Sequence, residues 1–293
     1  MAQQLLNGLF LGSVYALFAL GYTLVFGILD ILNLAHAAVL MVGAFAALVL
    51  VADLNVNVWL ALAGSMAFSA LLGVLLEKVA FAPLRRRPDT HLAGLLSSTA
   101  VAIMLQAVVL IQFQSRTYRF PAAAFDDQSL NIAGASVSAL QLIILGIALL
   151  LMGALQYLVR STRLGTAMRA VAESERAARV LGIDVERTIM LAFALASSLG
   201  GAAGVLYGLA FNSVAPDMGS SIELRGLAVI VVGGMGSIPG AVVGGFLLGL
   251  IEVLSVALTG QSSYRDAIAF AALFLVLLVR PNGILATRAV RVA

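Results

Sequence analysis

Eight apolar stretches dominate the chain, at about 5–28, 34–52, 58–76, 92–113, 138–159, 188–211, 226–258 and 266–280. Most are close to the twenty or so residues that a helix needs to cross a bilayer core. None alternates apolar and polar residues over ten positions, as a membrane β-strand would. Backbone groups in lipid must be paired internally, so helices are predicted throughout. The predicted fold class is all-α: a polytopic transmembrane helical bundle, one domain over residues 1–293, with about eight membrane segments. One or two of these are expected to be broken or re-entrant.

Polar segments between the runs set the orientation. Residues 77–91 carry Lys78 and the run Arg85, Arg86, Arg87, and residues 160–187 carry six arginines against Glu173, Glu175, Asp184 and Glu186. Arginine-rich short loops stay in the cytoplasm. Two runs separate these segments, so both lie on one side. Residues 53–57 and 114–137, with Arg116, Arg119, Pro121, Asp126 and Asp127, then lie outside. Residues 212–225 are external by the same count. If 226–258 crossed once, Arg280, Arg288 and Arg291 would end outside, against the charge rule. If it dips in and returns, they end inside. The side of the N-terminus stays open on this reading. With no basic n-region before Leu5, the first run reads as a retained span.

Composition narrows the function. The chain is 62% hydrophobic and 11% charged, with a mean hydropathy of +1.07; soluble domains carry about 25% charged residues. The net charge of +3 comes almost wholly from arginines between apolar runs, so it marks orientation and not nucleic acid. There is no cysteine, which removes disulfides, thiol nucleophiles and Cys-based zinc sites. No phosphate-binding G-x-x-x-x-G-K-[ST] is present, and Ser237 in GMGSIPG lacks the G-x-S-x-G spacing of a hydrolase turn. No catalytic residue, metal site or cofactor site is read.

Three segments carry candidate function. In GGMGSIPG at 233–240, Gly233, Gly234, Gly236, Ser237 and Pro239 supply a helix break that exceeds the needs of packing. Gly240 and Gly244, Gly245 and Gly249, and Gly200, Gly204 and Gly208 have the four-residue spacing of close helix contacts. In residues 30–45, Asn33 and His36 are three apart, as on one helix face, and polar groups within spans tend to face cavities or partners. His36 has no acidic companion for a proton relay, and its expected role is hydrogen bonding or helix termination. Glu252 is near an interface, paired or protonated. Residues 166–181 hold good helix formers, with Gly182 as the stop, and would suit a cytoplasmic docking helix or a plain solvated one.

These residues resemble the permease subunits of the high-affinity branched-chain amino acid ATP-binding-cassette importers. The likeness runs from LLNGLFLGSVYALFALGYTLVFGILDILNLAHA to LVLLVRPNGIL and includes RLGTAMRAVAESERAARVLGIDVERTI and LAVIVVGGMGSIPGAVVGGFLLGLIEVL. It implies a multi-pass protein of the bacterial inner membrane with no chemistry of its own. It implies cytoplasmic ATP-binding subunits, a second similar permease and a periplasmic substrate-binding protein. The 165–187 loop is implied to hold a coupling helix. Glu175, Ala177, Ala178 and Gly182 match its pattern, and Gly165, Ala170 and Glu173 are assigned with them. Asn33, His36 and the five residues of the 233–239 break are assigned to the translocation pathway. One departure stands out. The family commonly reads N-F-A-H-G-E where this chain has Asn33-Leu34-Ala35-His36-Ala37-Ala38, without the acid. Relatives that import urea, amides or aromatic acids are the alternative substrate reading, and an autonomous channel or proton-coupled carrier is the alternative mechanism.

Overall fold

The structure, a computed structural model, describes residues 2–85, 90–121, 129–132 and 135–285. Arg86, Arg87, Asp126, Asp127, Arg288 and Arg291, named above for orientation, lie outside these. Eleven α-helices are described: α1 (Ala2–Leu29), α2 (Ala35–Ala52), α3 (Val58–Leu76), α4 (Thr90–Phe113), α5 (Ala139–Ser161), α6 (Arg163–Glu173), α7 (Glu175–Val180), α8 (Val185–Phe211), α9 (Met218–Gly233), α10 (Ile238–Thr259) and α11 (Arg265–Val279). A two-stranded antiparallel hairpin, β1 (Ser129–Ile132) with β2 (Ala135–Ser138), precedes α5, mostly within the segment read as external.

Among the described residues, seven helices are long and apolar enough to cross a membrane: α1, α2, α3 with its extension, α4, α5, α8 and α10. The eighth and ninth elements are shorter. The stretch read as one dipping segment, 226–258, is two helices, α9 and α10. At 1.5 Å per residue, the 16 residues of α9 and the 15 of α11 span only about 24 and 22 Å. The α3 helix does not stop at Leu76 but runs on through a π turn, Glu77–Phe81. Glu77, read as a loop residue, is buried there in an ion pair with Arg85.

The core lies around α1, α2 and α8. The span of α1 is 89% buried and those of α2 and α8 are 72%, against 17% for α4, which lines the outside of the bundle. Small residues allow this density. A Cβ on Gly245 would lie 2.5 Å from the Ala16 Cα, and one on Gly12 would lie 2.7 Å from the Phe246 Cα, so α1 and α10 meet backbone to backbone. On the far side of α8, Gly43 and Gly201 touch beside Ser65, whose hydroxyl donates to the Gly43 carbonyl at 2.7 Å.

The ends of the bundle can be assigned from contacts. Phe10 of α1 shares a pocket with Ser138, Leu140 and Asn212, the start of α5 and the end of α8. The N-terminus therefore sits at the end opposite α6 and α7. Tyr118 and Val214 exchange backbone hydrogen bonds of 2.8 and 2.9 Å, tying the α4–β1 and α8–α9 connections together at that same end. Residues 283–285 lie at the other end, against the turn between α9 and α10.

Candidate functional site

Two helix breaks and one buried ionic cluster surround α1. The first break follows Leu29. Asp30 takes a positive φ of 54°, residues 30–34 are non-helical, and α2 begins at Ala35. Non-helical backbone at this depth needs partners. Ser98 on α4, fully buried, accepts from the Leu34 N–H at 3.2 Å, while its own hydroxyl donates to the Leu95 carbonyl at 2.9 Å, with the Leu32 carbonyl farther off at 3.5 Å. The Asn33 carbonyl accepts from the His36 N–H at 3.0 Å. Asn33 thus precedes the helix, and the pair does not share a helix face as its spacing predicts. Both side chains are buried, at 2% and 1% exposure. The His36 ring stacks on Phe18 and meets the edge of Tyr22, each at 5.0 Å between centroids. Gly21 and Gly200 provide its space, for a Cβ on Gly200 would lie 2.9 Å from Cε1. Neither ring nitrogen nor Asn33 Oδ1 makes a hydrogen bond of good geometry within the chain. His36 lies in the first turn of α2.

The second break is residues 234–237. Gly234 and Gly236 take φ of 106° and 80°, a region closed to most side chains, and these two glycines turn the chain. Ser237 caps α10 by accepting from the Gly240 N–H at 3.1 Å. Pro239 is not the interruption that its sequence position implies. It occupies the first turn of α10, where a missing N–H costs nothing. Gly233 and Gly240 face each other across the hairpin with no room for a Cβ on either. The break therefore combines packing glycines and turning glycines. It touches the first break at one point: a Cβ on Gly27 would lie 3.6 Å from Gly236. No described contact joins it to Asn33 or His36. After α11, the Ile284 and Leu285 N–H groups donate to the Val232 and Gly233 carbonyls at 2.8 and 3.0 Å, satisfying the end of α9.

The ionic cluster was only half visible in the sequence. Arg225 was counted as external loop, but it lies on α9, beyond the first turn, with its side chain 14% exposed. Its Nε donates to Glu252 Oε1 at 2.9 Å, the Tyr15 hydroxyl donates to Glu252 Oε2 at 3.0 Å, and Asp266 on α11 takes a second guanidinium nitrogen. Glu252, 1% exposed, is thus a paired charge that joins α1, α9, α10 and α11. Nearby, Glu223 accepts from the Tyr22 hydroxyl at 3.3 Å. It also lines a cavity of about 40 Å³ between α2, α4 and the start of α9, together with Leu34, Ala38, Gln106, Pro216 and Ser220.

The polar loop departs from a single helix over 166–182. Ser174 is extended, with φ −162° and ψ 112°, and its hydroxyl caps α7 by accepting from the Ala177 N–H at 3.2 Å. Gly165 packs without room for a side chain against the Leu158 and Val159 carbonyls, and Arg169 donates to the latter. Ala170 is half-buried and Ala178 is 1% exposed, facing this chain. Glu173 and Ala177 are exposed, and Glu175 pairs loosely with Arg179 at 3.8 Å. Gly182 takes φ 81° directly after α7, as a stop residue should. The exposed large apolar residues are Val180 and Leu181, at 84% and 77%; Leu181 is among the apolar positions of the helix pattern, along with Ala170, Val171, Ala177 and Ala178, and Val180 is not. Beside them a groove of about 710 Å³ runs between Pro83, Arg85, Glu175, Arg176, Arg179 and Glu186.

Residues 4–277 match the family model described as branched-chain amino acid transport system / permease component. The chain belongs to this family. Among curated relatives, the permease is 38% identical to the high-affinity branched-chain amino acid transport system permease protein LivH of Escherichia coli (strain K12), over 97% of this chain and 94% of that one. It is 37% identical to the corresponding protein BraD of Pseudomonas aeruginosa, over 97% of this chain and 95% of that one. Among solved structures, it is similar to a metal-chelate type ABC transporter in an inward-facing conformation. The TM-score is 0.51 and the identity 18%, over 95% of this chain and 85% of that one, a likeness of fold alone. The permease is a multi-pass membrane protein.

Proposed function

We propose that this permease carries branched-chain amino acids across the bacterial inner membrane as a subunit of an ATP-driven importer. It works beside a second homologous permease, receives substrate from a periplasmic binding protein and is driven by separate cytoplasmic ATPase subunits. The observation that carries this reading is identity of 37–38% to LivH and BraD over 97% of the chain, covering both breaks. The whole chain acts as one transmembrane domain with residues 160–187 as its coupling loop.

The pathway runs along the breaks. At the first, α2 begins without a side-chain cap at Leu34; the Leu34 and His36 N–H groups are held by Ser98 and the Asn33 carbonyl, and the positive end of the helix dipole still favours a carboxylate there. Asn33 and His36 stand there with unspent hydrogen-bonding capacity. At the second, the 233–239 hairpin closes against the end of α1. Rocking of one part of the bundle against the other opens these contacts alternately. In the coupling loop, Gly165, Ala170 and Ala178 hold α6 and α7 on the bundle. Glu173, Glu175, Ala177 and Gly182 lie on or beside the surface that meets the ATPase.

Leucine uptake tests the reading in cells stripped of their own branched-chain importers and supplied with this chain and its partner subunits. Uptake should require ATP and the binding protein. Leucine flux through the purified chain alone in liposomes would overturn it in favour of an autonomous carrier.

A further inference from the structure

Glu223 is the acid at this depth that lacks a cation. Glu252 has Arg225 and Glu77 has Arg85, whereas among the described residues no Lys or Arg forms an ion pair with Glu223. Its described hydrogen bond comes from the Tyr22 phenol, which leaves the second carboxylate oxygen unused. The other polar groups around its cavity direct protons away from it. Gln106 Nε2 donates to the Pro216 carbonyl at 3.3 Å, and the Ser220 hydroxyl donates to the Asp217 carbonyl at 2.8 Å. What they leave is mostly lone pairs, a carboxylate oxygen, the Gln106 amide oxygen and the Ser220 oxygen, with one N–H of the Gln106 amide besides. Acceptors around one uncompensated negative charge fit a cation that donates several hydrogen bonds. The cavity's volume of about 40 Å³ limits its size. A water needs about 10–15 Å³ of such space, so an ammonium group fits and a whole amino acid does not.

Ala38 on α2 lines the same cavity as Glu223 on α9. The geometry points to Glu223 on α9 as the binding group for the primary ammonium of the passing amino acid. The assignment rests on the amino acid import reading above.

The test uses the assembled importer with its ATPase subunits and binding protein in proteoliposomes. Glu223→Gln should lower leucine uptake at least about tenfold, the loss of one charge-assisted hydrogen bond, while the ATPase still co-purifies and hydrolyses ATP. Adding Ala38→Glu to Glu223→Gln should return uptake to within about threefold of wild type, because the second acid reaches the same space. Wild-type uptake in Glu223→Gln overturns the assignment. So does a double variant that assembles normally and stays as slow as Glu223→Gln. Absence of leucine uptake by wild type would instead overturn the import reading, and the assignment with it.

Discussion

Replacing Arg225 by Met isolates the buried charge of Glu252. In the wild type, that carboxylate is 1% exposed and has two partners, the Arg225 Nε at 2.9 Å and the Tyr15 hydroxyl at 3.0 Å. Met approximates the length of the Arg stem but leaves the carboxylate with the phenol alone. Breaking a buried pair by removing one partner costs about 3–5 kcal/mol. Arg225 itself is 14% exposed, which lets some water in and places the expected loss near the lower bound, about 3 kcal/mol. Asp266 adds little, since its side chain is 58% exposed and exposed pairs contribute about 0–1 kcal/mol. Removing both charges, Arg225→Met with Glu252→Met, should recover most of the loss, because apolar replacements of buried pairs are often neutral. The assay is reversible unfolding of purified permease in mixed micelles with increasing denaturing detergent. The expected order of stability is wild type close to the double variant, then Asp266→Asn slightly lower, then Arg225→Met well below. A single Arg225→Met variant as stable as wild type would refute the buried-pair reasoning. Asp266→Asn as damaging as Arg225→Met would place the energy in the exposed arm instead.

The exposed apolar pair of α7 gives a second expectation: Val180→Asp with Leu181→Asp should insert normally but lose ATPase co-purification, and normal co-purification would remove this tip from the interface. Ala178→Arg is expected to act differently, by unseating α7 from its own bundle, which proteolysis of the loop in the isolated permease would show. Gly200→Val should drive a branched side chain into the His36 ring and cost about 1–3 kcal/mol by overpacking; His36→Ala in the same chain should relieve part of it, and no relief in an unfolding titration would mean the ring is not the obstacle. Because the chain has no cysteine, single cysteines report topology cleanly: Leu5→Cys and Asn55→Cys should react with an impermeant thiol reagent outside intact cells, whereas Leu181→Cys should react only after permeabilisation. Labelling of Leu181→Cys in intact cells would invert the orientation.

Long runs such as 34–52 and 92–113 were legible because lipid and core alike select apolar residues over a fixed length, and α2 and α4 follow them closely. Parity with the arginine bias also anticipated that 226–258 turns back. The internal ends of helices were less legible. Arg225 looked external because charge signals a loop, but a counter-charge 27 residues away brings it inside. Pro239 looked like the break because proline stops helices, whereas two positive-φ glycines do the turning and proline starts the next helix. Ser174 carries no Gly or Pro signal, so the division of α6 from α7 needed its side-chain cap to be seen. The pairing of Ala38 with Glu223 across one cavity was invisible along the chain, since 185 positions separate them and only α9's approach to α2 unites them.

The hydrogen bonds from Ile284 and Leu285 to the end of α9 also bear on biogenesis. The Val232 and Gly233 carbonyls leave the ribosome roughly fifty residues before the amides that satisfy them, so at about 5–20 residues per second they wait roughly 3–10 s. During that interval the hairpin is inserted but unfinished at one end. A nascent chain arrested just after α11 would hold every long span and still lack the clasp. Residues translated after α11 thus complete the end of the bundle where the α9–α10 turn lies, and a ribosome stalled before them would be left holding the long spans with that turn unlatched.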